Sequence, residues 1–227
     1  MTACKVVKLV LTKDEVNEVN ASLYKEMGYD DCISLKESDK DLIKHLNTLV
    51  YQKLCSLYNH SLKKSLDEGI EIPGFNEIMV DILHDFGIPA SLTGYQYLKR
   101  AIEMAFLNID TVVGGVTKVI YPTIAQMYNT TSPRVERSMR HAIETGWCRA
   151  KIETMEKIFS YSYSNEKGKP TNGEFIANIS DYLIIHFRKE RKEYLSAHPD
   201  NVENVNHIIN ISNAVSIGNN KEKEPVI

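Results

Sequence analysis

The chain has few of the features that would assign it to a specialised class. Four cysteines, Cys4, Cys32, Cys55 and Cys148, are spread over 227 residues with no C-x-x-C spacing. Neither a disulfide framework nor a zinc ribbon is supported, and a reducing cytoplasm is the expected setting. Long apolar runs are missing. The least charged long stretch, 206–220, is rich in Asn and unsuited to lipid, so no membrane association is expected. Residues 6–11 form only a short apolar run broken by Lys8, unlike a signal or transit peptide. No G-x-x-x-x-G-K-[ST] or G-x-G-x-x-G occurs, and Gly114-Gly115 reads as a loop or helix break; a phosphate cradle is therefore unsupported. Bulk positive charge is also missing. A net charge of −3 argues against nonspecific coating of nucleic acid but permits a local basic face.

What the chain does contain is an ordinary globular composition, 43% hydrophobic and 25% charged, arranged in three zones. The first, 1–72, is expected to be a small α or α/β regulatory or dimerisation region. Val6 to Leu11 reads as a short strand, and a helix starting at Thr12–Glu15 runs towards Gly28. A second helix, about Asp39 to Asp67, carries an apolar stripe of Leu42, Ile43, Leu46, Leu49, Val50, Leu54 and Leu57. That stripe suits packing within its own domain better than a coiled-coil seam, because three sustained heptads are not evident. Asp14-Glu15 reads as a solvated first turn and Asp30-Asp31 as a solvated loop.

The second zone, 73–190, is expected to be all-α. Phe75 to Phe86 has helical spacing and is stopped by Gly87 and Pro89; Thr93 to Leu107 repeats the pattern through Tyr95, Leu98, Ile102 and Ala105. Val112 to Tyr121 is apolar, and Pro122 suits the first turn of a short helix. Thr171-Asn172-Gly173-Glu174 is a capping box opening a helix with Phe175, Ile176, Ile179, Leu183 and Phe187 on one face. The third zone, 191–227, is expected to be a flexible tail because it is Asn-rich and ends in alternating charge.

The informative stretch is Pro122 to Arg149. It reads as a short helix to about Tyr128, a tight Asn129-Thr130-Thr131 turn, and a second helix to about Gly146, N-capped by Ser132 with Pro133 at the first helical position. At about 100° per residue, Val135, Met139, Ala142 and Ile143 share one side; Arg137, Arg140, His141 and Glu144 share the other, with Arg134 and Glu136 flanking. This is the layout of a helix-turn-helix reader. An arginine fork matches guanine O6 and N7, and a carboxylate accepts from the cytosine amino group. Arg137 beside Glu136 therefore suits a G·C-containing site, and Arg140 and His141, one turn later, suit phosphate contact. Residues 132–151 carry five cationic and two acidic side chains, a local +3 on an acidic chain. The competing explanation is a solvated face laced with ion pairs, since Glu136 and Arg140 lie four residues apart.

Catalysis has little support. His84 with Asp85, and His141 with Glu144, read as surface groups without a third metal ligand. Cys148 lacks a placed base and reads as a buried thiol, and Trp147 reads as core. No enzyme, metal or cofactor is expected.

Several segments in one order, over about half the chain, carry a resemblance. They are Gly87-Ile88-Pro89-Ala90, Gly94-Tyr95-Gln96-Tyr97-Leu98, residues 117–122, Asn129-Thr130-Thr131, Arg134-Val135-Glu136-Arg137, residues 140–144 and Lys169-Pro170-Thr171-Asn172. The region 75–187 resembles the C-terminal DNA-binding effector domain of the stage zero sporulation protein A family of response regulators. The resemblance implies a six-helix bundle containing a helix-turn-helix, with Glu136 and Arg137 as base readers and Arg134, Arg140, His141 and Lys169 as backbone contacts. It also implies tandem or dimeric binding to double-stranded DNA. A weaker implication is contact with the RNA polymerase sigma subunit through the segment 149–159, at Arg149, Lys151, Glu153 and Glu156. The family's phosphoacceptor receiver needs roughly 100 residues or more, more than precede Phe75, so control through such a domain is not expected. The alternative function is a protein-interaction module that antagonises the full-length regulator.

Overall fold

A computed structural model describes residues 9–12, 22, 25–26, 31–34, 58–60, 62–64, 66–113, 115–159 and 168–220. Two compact units divide the chain, 1–54 and 55–227. In the first, β1 (Leu9–Thr12) pairs in parallel with β2 (Asp31–Ser34), Leu9 opposite Asp31 and Thr12 opposite Ser34. A parallel pair requires a crossover, and Ser22, Lys25 and Glu26, lying between the strands, are helical. The expected loop at Asp30-Asp31 is corrected at Asp31, which opens β2. Asp14-Glu15, Asp30 and the stripe from Leu42 to Leu57 lie outside the described residues.

The second unit is helical: α1 (Phe75–Asp85), α2 (Thr93–Leu107), α3 (Asp110–Val113), α4 (Ile120–Met127), α5 (Ser132–Trp147), α6 (Ile152–Phe159), α7 (Asn172–His186), α8 (Arg188–Ala197) and α9 (Pro199–Asn220). Of these, α1 to α7 lie within the region 73–190 expected to form a six-helix bundle, and all of it is helical or connecting chain among the described residues. α2 runs through the middle and touches α3, α4, α5, α7 and α9. Its unbroken buried run from Ala101 to Leu107 is that of a helix covered on all sides. Phe86 stacks on Trp147 at 5.8 Å and meets Phe159 and Phe175 edge-on, joining the ends of α1, α5 and α6 to α7.

Two boundaries differ from the sequence reading. The helical unit begins before residue 73: Leu62, Leu66 and Ile72 are buried in its core. Arg100 on α2 donates to the Leu66 carbonyl, pairs with Asp67 and with buried Glu103 at 2.9 Å, and reaches the Tyr128 hydroxyl at 3.3 Å. Lys63 Nζ donates to the Met127 carbonyl at 3.0 Å, and Asn59 donates to Gln126, so the segment 58–67 braces the end of α4.

At the other end, the expected flexible tail is corrected over 191–220 to α8 and α9, with Tyr194, Val205, Ile208 and Ile209 buried, while 221–227 lie outside the described residues. The reason is local. α2 ends with carbonyls that have no partner within the helix, and Arg191 supplies one, donating to Phe106 O at 2.6 Å and Leu107 O at 3.1 Å. Asn108 donates to Asn206 at 2.6 Å, and Tyr58 stacks on His207, fixing α9 beside them. Ile208→Ala is expected to cost about 2–5 kcal/mol in chemical denaturation, the range for emptying a core site; a flexible tail would show no loss.

Candidate nucleic-acid interface

The helix-turn-helix is formed by α4, the turn and α5. α4 starts at Ile120, so Pro122 falls in its first turn, where no amide donor is required. Asn129 takes a left-handed φ of 49°, a conformation Asn tolerates, and reverses the chain. The expected N-cap is shifted by one residue. Thr131 holds the extended capping conformation, Ser132 is already helical, and Pro133 follows in the first turn.

The seat of α5 is unusually close. A Cβ on Gly94 of α2 would lie 2.0 Å from the Ser138 carbonyl oxygen and 2.8 Å from Ala142 Cβ. One on Gly146 would lie 2.5 Å from the Phe86 carbonyl oxygen and 2.6 Å from Ile88 Cγ1. Only glycine permits these backbone approaches. Val135, Met139, Ala142, Ile143, Gly146 and Trp147 face inwards. Arg134, Arg137, Arg140, His141 and Glu144 are exposed, and Glu136 is half-buried on the flank.

A short run of chain, 168–172, follows the flank of α5 in the opposite direction. Trp147 Nε1 donates to Gly168 O at 3.0 Å, and Asn172 Nδ2 donates to Glu136 O at 3.1 Å and to the Tyr121 hydroxyl at 2.9 Å. The capping box forms as expected, Thr171 N donating to Glu174 at 2.8 Å and Glu174 N to Thr171 Oγ1 at 3.2 Å. Lys169 thereby stands beside α5, its ammonium 3.1 Å from Glu144. Glu144, Lys169, Arg140 and residues 171–173 line a cleft of about 480 Å³. The spacing-based pair between Glu136 and Arg140 is also made.

The residues assigned to polymerase contact lie on a different surface. Arg149, Lys151, Glu153 and Glu156 are exposed around the start of α6, together with Ile152 at 68% exposure. Sequence reasoning missed that Lys151 is tied down. Its Nζ lies 2.6 Å from Asp85, its backbone N–H donates to Asp85 O at 2.8 Å, and Thr154 donates to the same carboxylate at 2.9 Å. His84 and His141 are exposed, as read. Cys148 is corrected: its residue is exposed, since it caps α5 one position beyond the last buried turn.

Hydrogen bonding from Lys151 chiefly, then Thr154, holds the Asp85 carboxyl below its ordinary 3.8. A depressed acid contributes stability above its unfolded value, and that contribution is lost as pH falls through the folded value. Asp85→Asn should therefore lower the melting temperature at neutral pH and flatten its decline below about pH 4. The check is a set of thermal melts across pH 2.5–7; parallel curves for the two proteins would contradict it.

Among the described residues no helix is long and apolar enough to cross a membrane, and no three His, Cys, Asp or Glu side chains gather as metal ligands. Residues 79–183 match the family model described as sporulation initiation factor Spo0A C terminal. The match runs from within α1 through most of α7 and takes in the whole helix-turn-helix. Over these residues the chain is similar to the C-terminal domain of that sporulation initiation factor, a DNA-binding effector domain of a sporulation regulator.

Proposed function

We propose that the chain is a sequence-specific transcription regulator that sets α5 in the major groove of double-stranded DNA at a short G·C-containing box. One observation carries this: α5 buries one side through Gly94 and Gly146 and exposes Arg134, Arg137, Arg140 and His141 on the other. Arg137 and Glu136 are the base readers, the arginine fork on guanine and the carboxylate on the cytosine amino group. Glu136 reaches its base by releasing Arg140, and the freed guanidinium then serves a phosphate. Arg134, His141 and Lys169 complete the backbone contacts, fixing register rather than sequence.

One copy reads few base pairs, so tandem or dimeric binding supplies the remaining specificity. The surface around α6, with Arg149, Glu153 and Glu156 exposed, is the side offered to the polymerase sigma subunit; Lys151 acts there mainly by holding α6 to Asp85. Binding is a property of the unphosphorylated protein.

Fluorescence anisotropy with boxed and scrambled duplexes at about 150 mM salt tests the reading. The unphosphorylated full chain should prefer the box. Arg137→Ala should cost about 1–3 kcal/mol on the box and relax the preference at one base position, whereas Lys169→Ala should weaken binding to the box without shifting the preference at any single base position and flatten its salt slope there by about one. Equal weak binding to both duplexes would instead favour a protein-interaction module antagonising the full-length regulator.

A further inference from the structure

The Lys169 ammonium is engaged by Glu144 in the free protein, although neither side chain is buried: their exposures are 50% and 45%. Its backbone, in contrast, is held on both sides, by the Trp147–Gly168 bond and by the two bonds from Asn172. Only the flexible side chain is thus free to change partner. Glu144 also lies on the exposed side of α5, with Arg137 about two turns before it and His141 three residues before it. Its carboxylate consequently faces whatever α5 faces.

We propose that Glu144 is a specificity-determining residue of the DNA reading described above, on which this inference rests. It competes with DNA phosphate for Lys169. A shallow encounter with arbitrary sequence has only phosphate attraction to offer, and Lys169 remains on Glu144. Seating α5 deeply, with Arg137 and Glu136 on their bases, brings Glu144 towards the groove and transfers Lys169 to the phosphate backbone. An exposed ion pair is weak enough for this exchange, and the unpaired carboxylate repels phosphate wherever base contacts do not compensate. Glu144 thus lowers affinity for the wrong sequences more than for the right one.

The test is anisotropy of the full chain on boxed and scrambled duplexes over about 50–200 mM salt, where each phosphate contact adds about 0.9 to the slope of log affinity against log salt. Glu144→Gln should bind the scrambled duplex severalfold more tightly, with a slope steeper by about 0.9. The boxed duplex should gain less and keep its slope. The added slope should vanish in the Glu144→Gln, Lys169→Ala double variant, and Glu144→Asp, which keeps the carboxylate, should restore wild-type behaviour; thermal melts of each variant verify folding.

An unchanged slope on scrambled DNA overturns the proposal. So does the same steepening without Lys169, since the effect would then be general charge. If the wild-type chain shows no salt-dependent binding to either duplex, the DNA reading itself fails and the role of Glu144 with it.

Discussion

Everything outward-facing in this domain depends on how closely α5 approaches its support. At Gly94 the backbone of α2 meets the Ser138 carbonyl with no room for a methyl group, and at Gly146 the roles reverse, with α5 yielding to Phe86 and Ile88. These two contacts, one at the middle of the helix and one near its C-terminal end, fix its position and rotation, and rotation decides which side chains a groove would meet. Interiors are close-packed and transmit small displacements. The aromatic group around Phe86 and the 168–172 segment then hold the remaining freedom of α5, one from beneath and one along its flank.

Charge is arranged on that frame with economy. The chain is net acidic, yet α5 and Lys169 concentrate cations, and two of these cations are provisionally matched by Glu136 and Glu144. Both pairs are exposed, so they contribute little to folding. Their consequence falls on association, where contacts to phosphate replace contacts to carboxylate. The same helix can therefore carry two carboxylates and still suit a polyanion.

Local signals in the sequence account for most of the domain from α1 to α7. Gly87 ends α1, the capping box opens α7, and the three- and four-residue spacing assigns Val135, Met139 and Ile143 to the interior. What escaped was stabilised from a distance. α8 carries six charged side chains among its ten residues, and its membership in the core rests on Tyr194 and on an arginine reaching carbonyls 84 and 85 residues earlier. α9 has no clear apolar side in its sequence, and its buried residues among those described, Val205, Ile208 and Ile209, stand among asparagines. The 58–67 segment joins through Lys63, Arg100 and two buried leucines, partners no spacing reveals. Cys148 went the other way: adjacency to a buried tryptophan suggested burial, but one further residue around the helix carries it to the surface.

The most direct measurement of the central claim is amide hydrogen exchange of the full chain with and without a duplex carrying the G·C-containing box. The account predicts added protection in α5, in the turn before it and in residues 168–172, with α8 and α9 unchanged. Protection concentrated in α8 or α9, with α5 exchanging as in the free protein, would contradict it.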